Sequence, residues 1–323
     1  MSNAVVSDVE ISFVIPVFNG SQTIGPLVDR IQNIFPTQCI QIVLINDGSV
    51  DNSEQVCIGI ADDNPDTVTF IQLSRNFGEH NAVLAGLNHA MGLYVAVLDD
   101  DGQNPPEEIP RMLQEIKENK CDVVYGRYIQ KQHSMLRNLG SRLTDRVATI
   151  MLKKPSDLYL SSFKVMNRFI VDQVIGYQGA FPYIDGLIFR ATLNVGQIDV
   201  EHRAREGTTS NYTFKKLVGL WLNMFMNFSI TPLRVSLLAG LFTTVVAVLL
   251  IGGVIVDKLW INPAVPRGVP TILITVMFFA GVQLLILGLI GEYLGRLLLD
   301  YSGTPQFVVR YTRGKNSFAP RDD

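Results

Sequence analysis

Two uncharged apolar stretches near the C-terminal end constrain this chain more than any other feature. Val235–Val256 runs for 22 residues and Val269–Gly291 for 23 without a charged side chain. About 20 apolar residues in a helix cross a hydrocarbon core of about 30 Å, where every backbone polar group must be satisfied within the segment. The connector Asp257–Gly268 is short and carries Pro263 and Pro266, so the pattern predicts a helical hairpin in a membrane. A pair of buried core helices is the alternative, and two successive uncharged runs of this length disfavour it. Lys215, Lys216 and Arg234 precede the first run, and Arg296, Arg310, Arg313 and Lys315 follow the second. The connector holds only Lys258 and Arg267. The positive-inside rule then places both termini in the cytosol. Met1–Glu10 has neither the basic region nor the apolar core of a signal peptide, in agreement with that orientation.

The first two thirds of the 323 residues alternate between two periodicities. Ile11–Val17, Ile40–Asn46, Val68–Leu73, Tyr94–Leu98 and Asp122–Gly126 are Val- and Ile-rich and read as buried strands. Thr23–Phe35, Ser53–Ala61, His80–Met91 and Glu107–Glu118 read as helices, with Pro106 at a tolerated first-turn position. This alternation predicts an α/β fold: a Rossmann-like, mostly parallel sheet with helices on both faces. Further on, the pattern suggests helices near Met135–Leu152 and Tyr183–Asn194 and a strand near Gln197–His202. Thr213–Phe228 places Leu217, Leu220, Trp221, Met224, Phe225 and Phe228 at helical spacing behind Lys215 and Lys216. It fits an amphipathic helix on the membrane surface, or equally one that covers the globular domain or mediates oligomerisation. The expected organisation is a cytosolic domain over residues 1–211, a juxtamembrane helix over 212–232, two spans within 233–292 (235–256 and 269–291), and a cytosolic tail over 293–323. Thr304–Val309 in that tail reads as a strand returning to the protein.

Composition excludes several classes. A net charge of −3 gives no nucleic-acid footprint. Cys39, Cys57 and Cys121 have no metal-type spacing and read as free thiols in a reducing compartment. The four histidines form no zinc pair. No G-x-G-x-x-G follows the first strand, which disfavours a dinucleotide site.

The chemistry concentrates where strands end. Asp99-Asp100-Asp101 follows the apolar run Tyr94–Leu98 and precedes Gly102-Gln103-Asn104-Pro105-Pro106. A buried strand thus releases three carboxylates at its C-terminal end, where open α/β sheets place their ligands. Hard oxygens there suit Mg²⁺ or Mn²⁺ together with a substrate phosphate. The plain alternative is a solvated acidic turn. The second strand ends in Asn46-Asp47-Gly48-Ser49-Val50-Asp51, where a carboxylate can accept from a base or ribose beside a glycine that permits close approach. An Asx turn accounts for the same residues.

Taken together, Val-Ile-Pro-Val-Phe-Asn at 14–19, Asn-Asp-Gly-Ser-x-Asp at 46–51, Leu-Ser-Arg-Asn-Phe-Gly at 73–78 and Asp-x-Asp-x-Gln-Asn-Pro-Pro at 99–106 resemble the GT-A glycosyltransferases of family 2. With two C-terminal spans the chain is similar to the bacterial polyprenyl-phosphate branch of that family. The resemblance implies that Pro16, Phe18, Asn19, Asp47, Gly48 and Ser49 form the nucleotide site with Asp99 and Asp100. Asp99, Asp101 and Gln103 would hold Mg²⁺ or Mn²⁺ and the donor diphosphate. Arg127, Arg137, Ser141 and Arg205 match positions that receive the lipid phosphate, and guanidinium forks pair well with phosphate oxygens. His202, Ser210 and Tyr212 match the loop that closes over it.

Some residues depart from the family pattern. Gly20 stands where glutamate is common, and Asp100 where alanine is. Gly207 comes one residue early, and Asn211 replaces a basic residue. Ser162, within Leu160-Ser161-Ser162-Phe163-Lys164, aligns with the base aspartate of some relatives, while Asp157 lies nearby out of register. A phosphate acceptor with a second pKa of about 6 is already ionised at neutral pH and needs little help from a base.

The resemblance therefore implies inverting transfer of a sugar from a nucleotide-diphosphate sugar, UDP first, to undecaprenyl or another polyprenyl phosphate. The enzyme would be a multi-pass protein of the bacterial cytoplasmic membrane, with its catalytic domain cytosolic, compatible with a homotetramer. Its product would serve cell-surface glycans such as lipopolysaccharide or O-antigen. Two rivals are a processive polysaccharide synthase, whose Gln-x-x-Arg-Trp motif is absent, and a membrane-anchored nucleotide-sugar binder with decayed catalysis.

Overall fold

The computed structural model describes residues 9–36, 39–128, 155, 158–200 and 269–314, together with 238, 240, 242, 245, 246 and 249. It forms two units, one from the N-terminal 212 residues plus 305–323 and one from 213–304.

The first unit is built on an eight-stranded sheet of order β7-β5-β6-β4-β1-β2-β3-β8. The strands are β1 (Ile11–Val17), β2 (Ile40–Asn46), β3 (Val68–Leu73), β4 (Tyr94–Val97), β5 (Val123–Tyr128), β6 (Lys164–Asn167), β7 (Val195–Val200) and β8 (Val309–Arg313). Pairings β1–β2, β2–β3, β1–β4 and β5–β7 are parallel, whereas β6 runs antiparallel to β4 and β5, and β8 antiparallel to β3. All residues of β2 and β3 are buried, which explains their predominantly apolar character, and the polar residues among them pair inside the fold, Asn46 Nδ2 donating to Gln72 Oε1 at 2.7 Å.

Side-chain alternation along β1 divides the core between two layers. Ile11, Phe13, Ile15 and Val17 pack into one cluster with α1 (Ile24–Ile34), α2 (Ser53–Asp63) and α4 (Ile109–Asn119). On the other face Val14 and Ile45 meet α3 (Glu79–His89) so closely that a Cβ on Gly86 would lie 2.5 Å from Val14 Cγ1 and 2.6 Å from Ile45 Cδ1. Helices α5 (Arg168–Ile175) and α6 (Ile184–Ala191) contact α3 on that side. The expected helices on both faces are therefore present. A buried polar knot fixes the opposite end of the sheet from the carboxylates: Ser12 Oγ donates to Gln41 Oε1 at 2.7 Å, and the Met91 and Gly92 amides donate to Gln41 Oε1 at 2.9 Å and Ser12 Oγ at 2.8 Å.

Two elements escape the sequence reading. The four residues of β6 are too few for a periodicity to show, and α5 follows them without a loop, its start capped by Asn167 Oδ1 accepting from the Ile170 amide at 3.0 Å. The returning strand is real but displaced. Residues 304–308 are not strand, and pairing with β3 runs over Val309–Arg313. Its alternation brings Tyr311 onto Phe70 and onto Glu54, to whose Oε1 the Tyr311 hydroxyl donates at 2.6 Å.

In the second unit α7 (Val269–Tyr301) is 33 residues long, about 50 Å at 1.5 Å per residue. Phe278–Leu299 within it is long and apolar enough to cross a membrane by length and composition, and none of it is buried against protein. Among the described residues no second helix meets that test. The six described residues of the first apolar run are helical, and Leu238, Phe242, Val245 and Leu249 are exposed. The helix read at 135–152 and the amphipathic segment at 213–228 lie outside the described residues.

Candidate active site

Strand order places β1 between β2 and β4, so the chain reverses its direction of progress at the β1–β4 boundary. Ligands of open α/β sheets bind at that crevice, beyond the carboxyl ends of the strands. Three loops meet there: Phe18–Ser21 after β1, Asp47–Asn52 after β2, and Asp99–Asn104 after β4.

The β1 and β2 loops hold one another. Asn19 takes a left-handed backbone (φ 57°), which asparagine tolerates, and its Oδ1 accepts from the Val50 amide at 3.0 Å. In return Ser49 Oγ accepts from the Asn19 amide at 3.0 Å and donates to Asn46 Oδ1 at 2.5 Å. Asp47 is 3% exposed, and its two oxygens accept from the Phe77 and Gly78 amides at 2.7 and 2.9 Å. Burial raises its pKa, against those two bonds. Gly48 (φ 64°) has no room for a side chain, since a Cβ would lie 2.5 Å from the Asn76 nitrogen. Asn19, Asp47, Gly48 and Ser49 therefore shape the crevice by fixing backbone. Pro16 is half-buried and Phe18 is 49% exposed, leaving an apolar ring at the lip.

The acidic loop divides its carboxylates. Asp99 Oδ2 accepts from Ser162 Oγ at 2.5 Å. Burial pushes Asp99 above the ordinary carboxylate range; Asp101 adds to the rise, while Ser162, Asn104 and Lys164 oppose it. Asp100 Oδ2 accepts from the Phe18 amide at 2.9 Å, and Asp101 Oδ1 from the Gln103 amide at 3.1 Å. Asn104 is 1% exposed; its Oδ1 accepts from the Tyr128 hydroxyl, and its Nδ2, the group through which it acts on Asp99, makes no close hydrogen bond among the described residues.

Among the described residues no three His, Cys, Asp or Glu side chains form a ready metal cage. The donors present still fit a hard cation. Asp99 and Asp101 repel one another at a site short of water, and one or two carboxylates plus substrate phosphates are a usual Mg²⁺ arrangement. The Asn104 amide beside them, without a close partner among the described residues, is a donor suited to an anionic oxygen.

A second polar cluster, missed by the sequence reading, lies behind the carboxylates. Lys164 on β6 and Asp185 on α6 form an ion pair at 3% and 7% exposure, and the buried Tyr125 hydroxyl donates to Asp185 Oδ1 at 3.0 Å. Glu79, at the start of α3, is exposed as a residue. Yet loss of water around its carboxyl and the charge of Asp99 push it up to about 7, Lys164 opposing them. Burial lowers His80 to about 4, so it is neutral at physiological pH; its ring meets Tyr183 edge-on at 5.0 Å. Lys164 entered the sequence reading only as a departure, and isolated Glu79 and Asp185 carry no motif.

Arg127 lies on β5 opposite Asp199 of β7, forked to both carboxylate oxygens at 2.5 and 2.9 Å. That pair holds Asp199 below its usual pKa. Ser162 is a donor to Asp99, the opposite of a base in that geometry. Arg137, Ser141, Asp157, His202, Arg205, Ser210 and Tyr212 lie outside the described residues. A separate cavity of about 480 Å³, lined by Ile34, Phe35, Leu113 and Lys117, sits between α1 and α4 and contains none of the residues above.

The family model "Glycosyl transferase family 2" matches residues 12–175, half of the chain, spanning every loop of this crevice. The chain belongs to glycosyl transferase family 2. This glycosyltransferase is 31% identical over 312 residues to the undecaprenyl-phosphate 4-deoxy-4-formamido-L-arabinose transferase of Yersinia pestis (strain Pestoides F), covering 94% of both chains. It is 30% identical over 314 residues to the enzyme of that name from Photorhabdus laumondii, covering 95% of both. Its mixed α/β GT-A sheet matches that of Mycobacterium tuberculosis glucosyl-3-phosphoglycerate synthase in complex with Mn²⁺ and UDP-glucose. There the TM-score is 0.50 at 18% identity, over 67% of this chain and 76% of the other, a likeness of fold.

Proposed function

We propose that this family 2 glycosyltransferase moves a sugar from a nucleotide-diphosphate sugar, UDP first among the nucleotides, to undecaprenyl or a related polyprenyl phosphate. The observation that carries the reading is near full-length similarity to two transferases named for undecaprenyl phosphate, joined to a long exposed apolar helix in the same chain. The base would sit against Pro16 and Phe18, in the frame that Asp47, Gly48 and Ser49 stiffen. Asp99, Asp101 and Gln103 would hold Mg²⁺ or Mn²⁺. Held there, such an ion would supply charge neutralisation for the departing diphosphate, an effect worth several kcal/mol.

The acceptor phosphate oxygen forms the new bond to the anomeric carbon as the bond to the nucleoside diphosphate breaks, in line and with inversion. Arg127, Arg137, Ser141 and Arg205 would orient the acceptor. To do so Arg127 exchanges Asp199 for the phosphate. Residues 1–211 form the catalytic domain, 212–232 the surface helix, 233–292 a two-helix hairpin with both termini cytosolic, and 293–323 the tail. A homotetramer suits that arrangement, as does a role for the product in lipopolysaccharide or O-antigen modification. Ser162 donates to Asp99 and so does not act as a base there, in keeping with an acceptor phosphate that is already ionised.

The test is a transfer reaction in detergent with undecaprenyl phosphate, Mn²⁺ or Mg²⁺ and a panel of nucleotide sugars, read by mass spectrometry of the lipid. A lipid-monophosphate sugar formed from one donor is the expected product. Nucleotide-sugar binding without any glycolipid would favour the binder with decayed catalysis.

A further inference from the structure

Four successive amides of the β1–α1 loop each donate to a side-chain oxygen from a distant segment. Asn19, Gly20 and Ser21 donate to Ser49 Oγ, Ser53 Oγ and Asp51 Oδ2, at 3.0, 3.0 and 3.2 Å, all within 49–53 after β2. Only the first, Phe18 to Asp100 Oδ2 at 2.9 Å, crosses to the β4 side of the crevice. The space the Asp100 carboxylate needs is the space a side chain at position 20 would fill. A Cβ on Gly20 would lie 2.3 Å from Asp100 Oδ2, 3.0 Å from its Cγ and 3.4 Å from its Cβ. Gly20 itself is buried, and its φ is not in the left-handed region, so room rather than backbone freedom requires glycine.

We propose that Gly20 and Asp100 are one unit: Asp100 is a positioning residue that ties the Phe18 loop to the acidic loop across the switch point, and Gly20 is the absence that lets it. The two departures noted in the sequence, glycine for glutamate at 20 and aspartate for alanine at 100, are then a single exchange in which a carboxylate enters the same space from the opposite wall. Asp100 works through the Phe18 backbone and sets where that exposed ring stands. Asp99 and Asp101, engaged by Ser162 and the Gln103 amide, face other tasks. The consequence for nucleotide affinity rests on the donor reading above; the pairing itself does not.

The experiment uses the full chain in detergent and two readouts. Hydrogen exchange of the peptide containing Phe18 reports the bond, and binding of uridine diphosphate with Mn²⁺ reports the seat, with guanosine, cytidine and thymidine diphosphates alongside. Asp100→Ala and Gly20→Ala should each speed exchange of the Phe18 amide by about tenfold and weaken nucleotide binding by about tenfold, the scale of one hydrogen bond to a charged group. Because both break the same bond, the double variant should be no worse than either single one. Asp100→Asn, which retains an acceptor, should stay within about threefold of the parent in both readouts. Losses that multiply to about a hundredfold in the double variant, a harmless Gly20→Ala, or an Asp100→Asn as damaged as Asp100→Ala would overturn the unit. If the parent binds none of the four nucleotides, the donor reading falls, and the exchange rates alone decide the pairing.

Discussion

Replacing Lys164 with methionine isolates the role of the ion pair behind the site. Lys164 Nζ and the Asp185 carboxylate meet with side chains only 4% and 10% exposed, and the Tyr125 hydroxyl is the other donor to Asp185 among the described residues. Methionine keeps the length and the apolar stem, so the cavity term is small, and the charge on Asp185 is left with one neutral hydrogen bond. Breaking a buried pair from one side costs about 3–5 kcal/mol. For a domain of about 200 residues each kcal/mol moves Tm by about 2–4 °C, so Lys164→Met should lower Tm by about 6–20 °C. Lys164→Met combined with Asp185→Leu removes both charges and should recover most of that loss, because apolar replacements of buried pairs are near neutral. Thermal unfolding of the detergent-solubilised protein at pH 7.5, followed by differential scanning calorimetry, measures all three variants. A single variant within 2 °C of the parent, or a double variant whose losses simply add, would refute the argument that the pair compensates itself.

Three further outcomes follow from the site. Asp101→Asn should abolish sugar transfer while leaving Tm within about 1–2 °C, as expected of a partly exposed residue outside the core; full transfer would remove Asp101 from the metal site. Gly48→Ala should cost about 1–3 kcal/mol through its left-handed backbone alone, and more as the Cβ pushes against Asn76, read as a lower denaturation midpoint together with weakened nucleotide binding. Glu79 has a folded pKa of about 7 against an ordinary 4.5, so the folded chain binds its proton more tightly than the unfolded chain does. Its contribution favours folding fully below about pH 4.5 and is lost as pH rises through 7. Stability of the metal-free protein in EDTA should decline across that window, and Glu79→Gln should flatten the decline. An unchanged slope in the variant would assign the decline to other groups.

The buried parallel strands were legible because a strand covered on both faces is dominated by apolar, largely β-branched residues, and β1, β2 and β3 begin and end where their composition changes. The short β6 was not, since four residues cannot establish a period, and its identity depends on pairing with β4 and β5. The acidic loop was legible as a carboxylate cluster at a strand end, where the structure places it beside the crevice, but three adjacent aspartates look alike in sequence. Only the fold separates Asp99, held by Ser162, from Asp100, turned to Phe18. Asp47 and Ser49 show the same limit. Their place beside the crevice followed from the motif, whereas their work in fixing the neighbouring loops depends on amides 30 residues away. Lys164 and Asp185 were invisible as a pair because nothing local links two charges brought together by a β-strand and a helix.

The position of β8 bears on how the molecule is made. Its neighbour β3 ends at Leu73, and more than two hundred residues are synthesised before Val309 arrives to cover that edge. Until then β3 presents an open row of amides and carbonyls, a template for mispairing with other chains. The intervening stretch includes the whole of α7, so the sheet is finished only after the apolar helix has left the ribosome. Completion of the sheet thus waits on the synthesis of the long apolar helix, and a chain truncated before Val309 carries an uncovered strand edge.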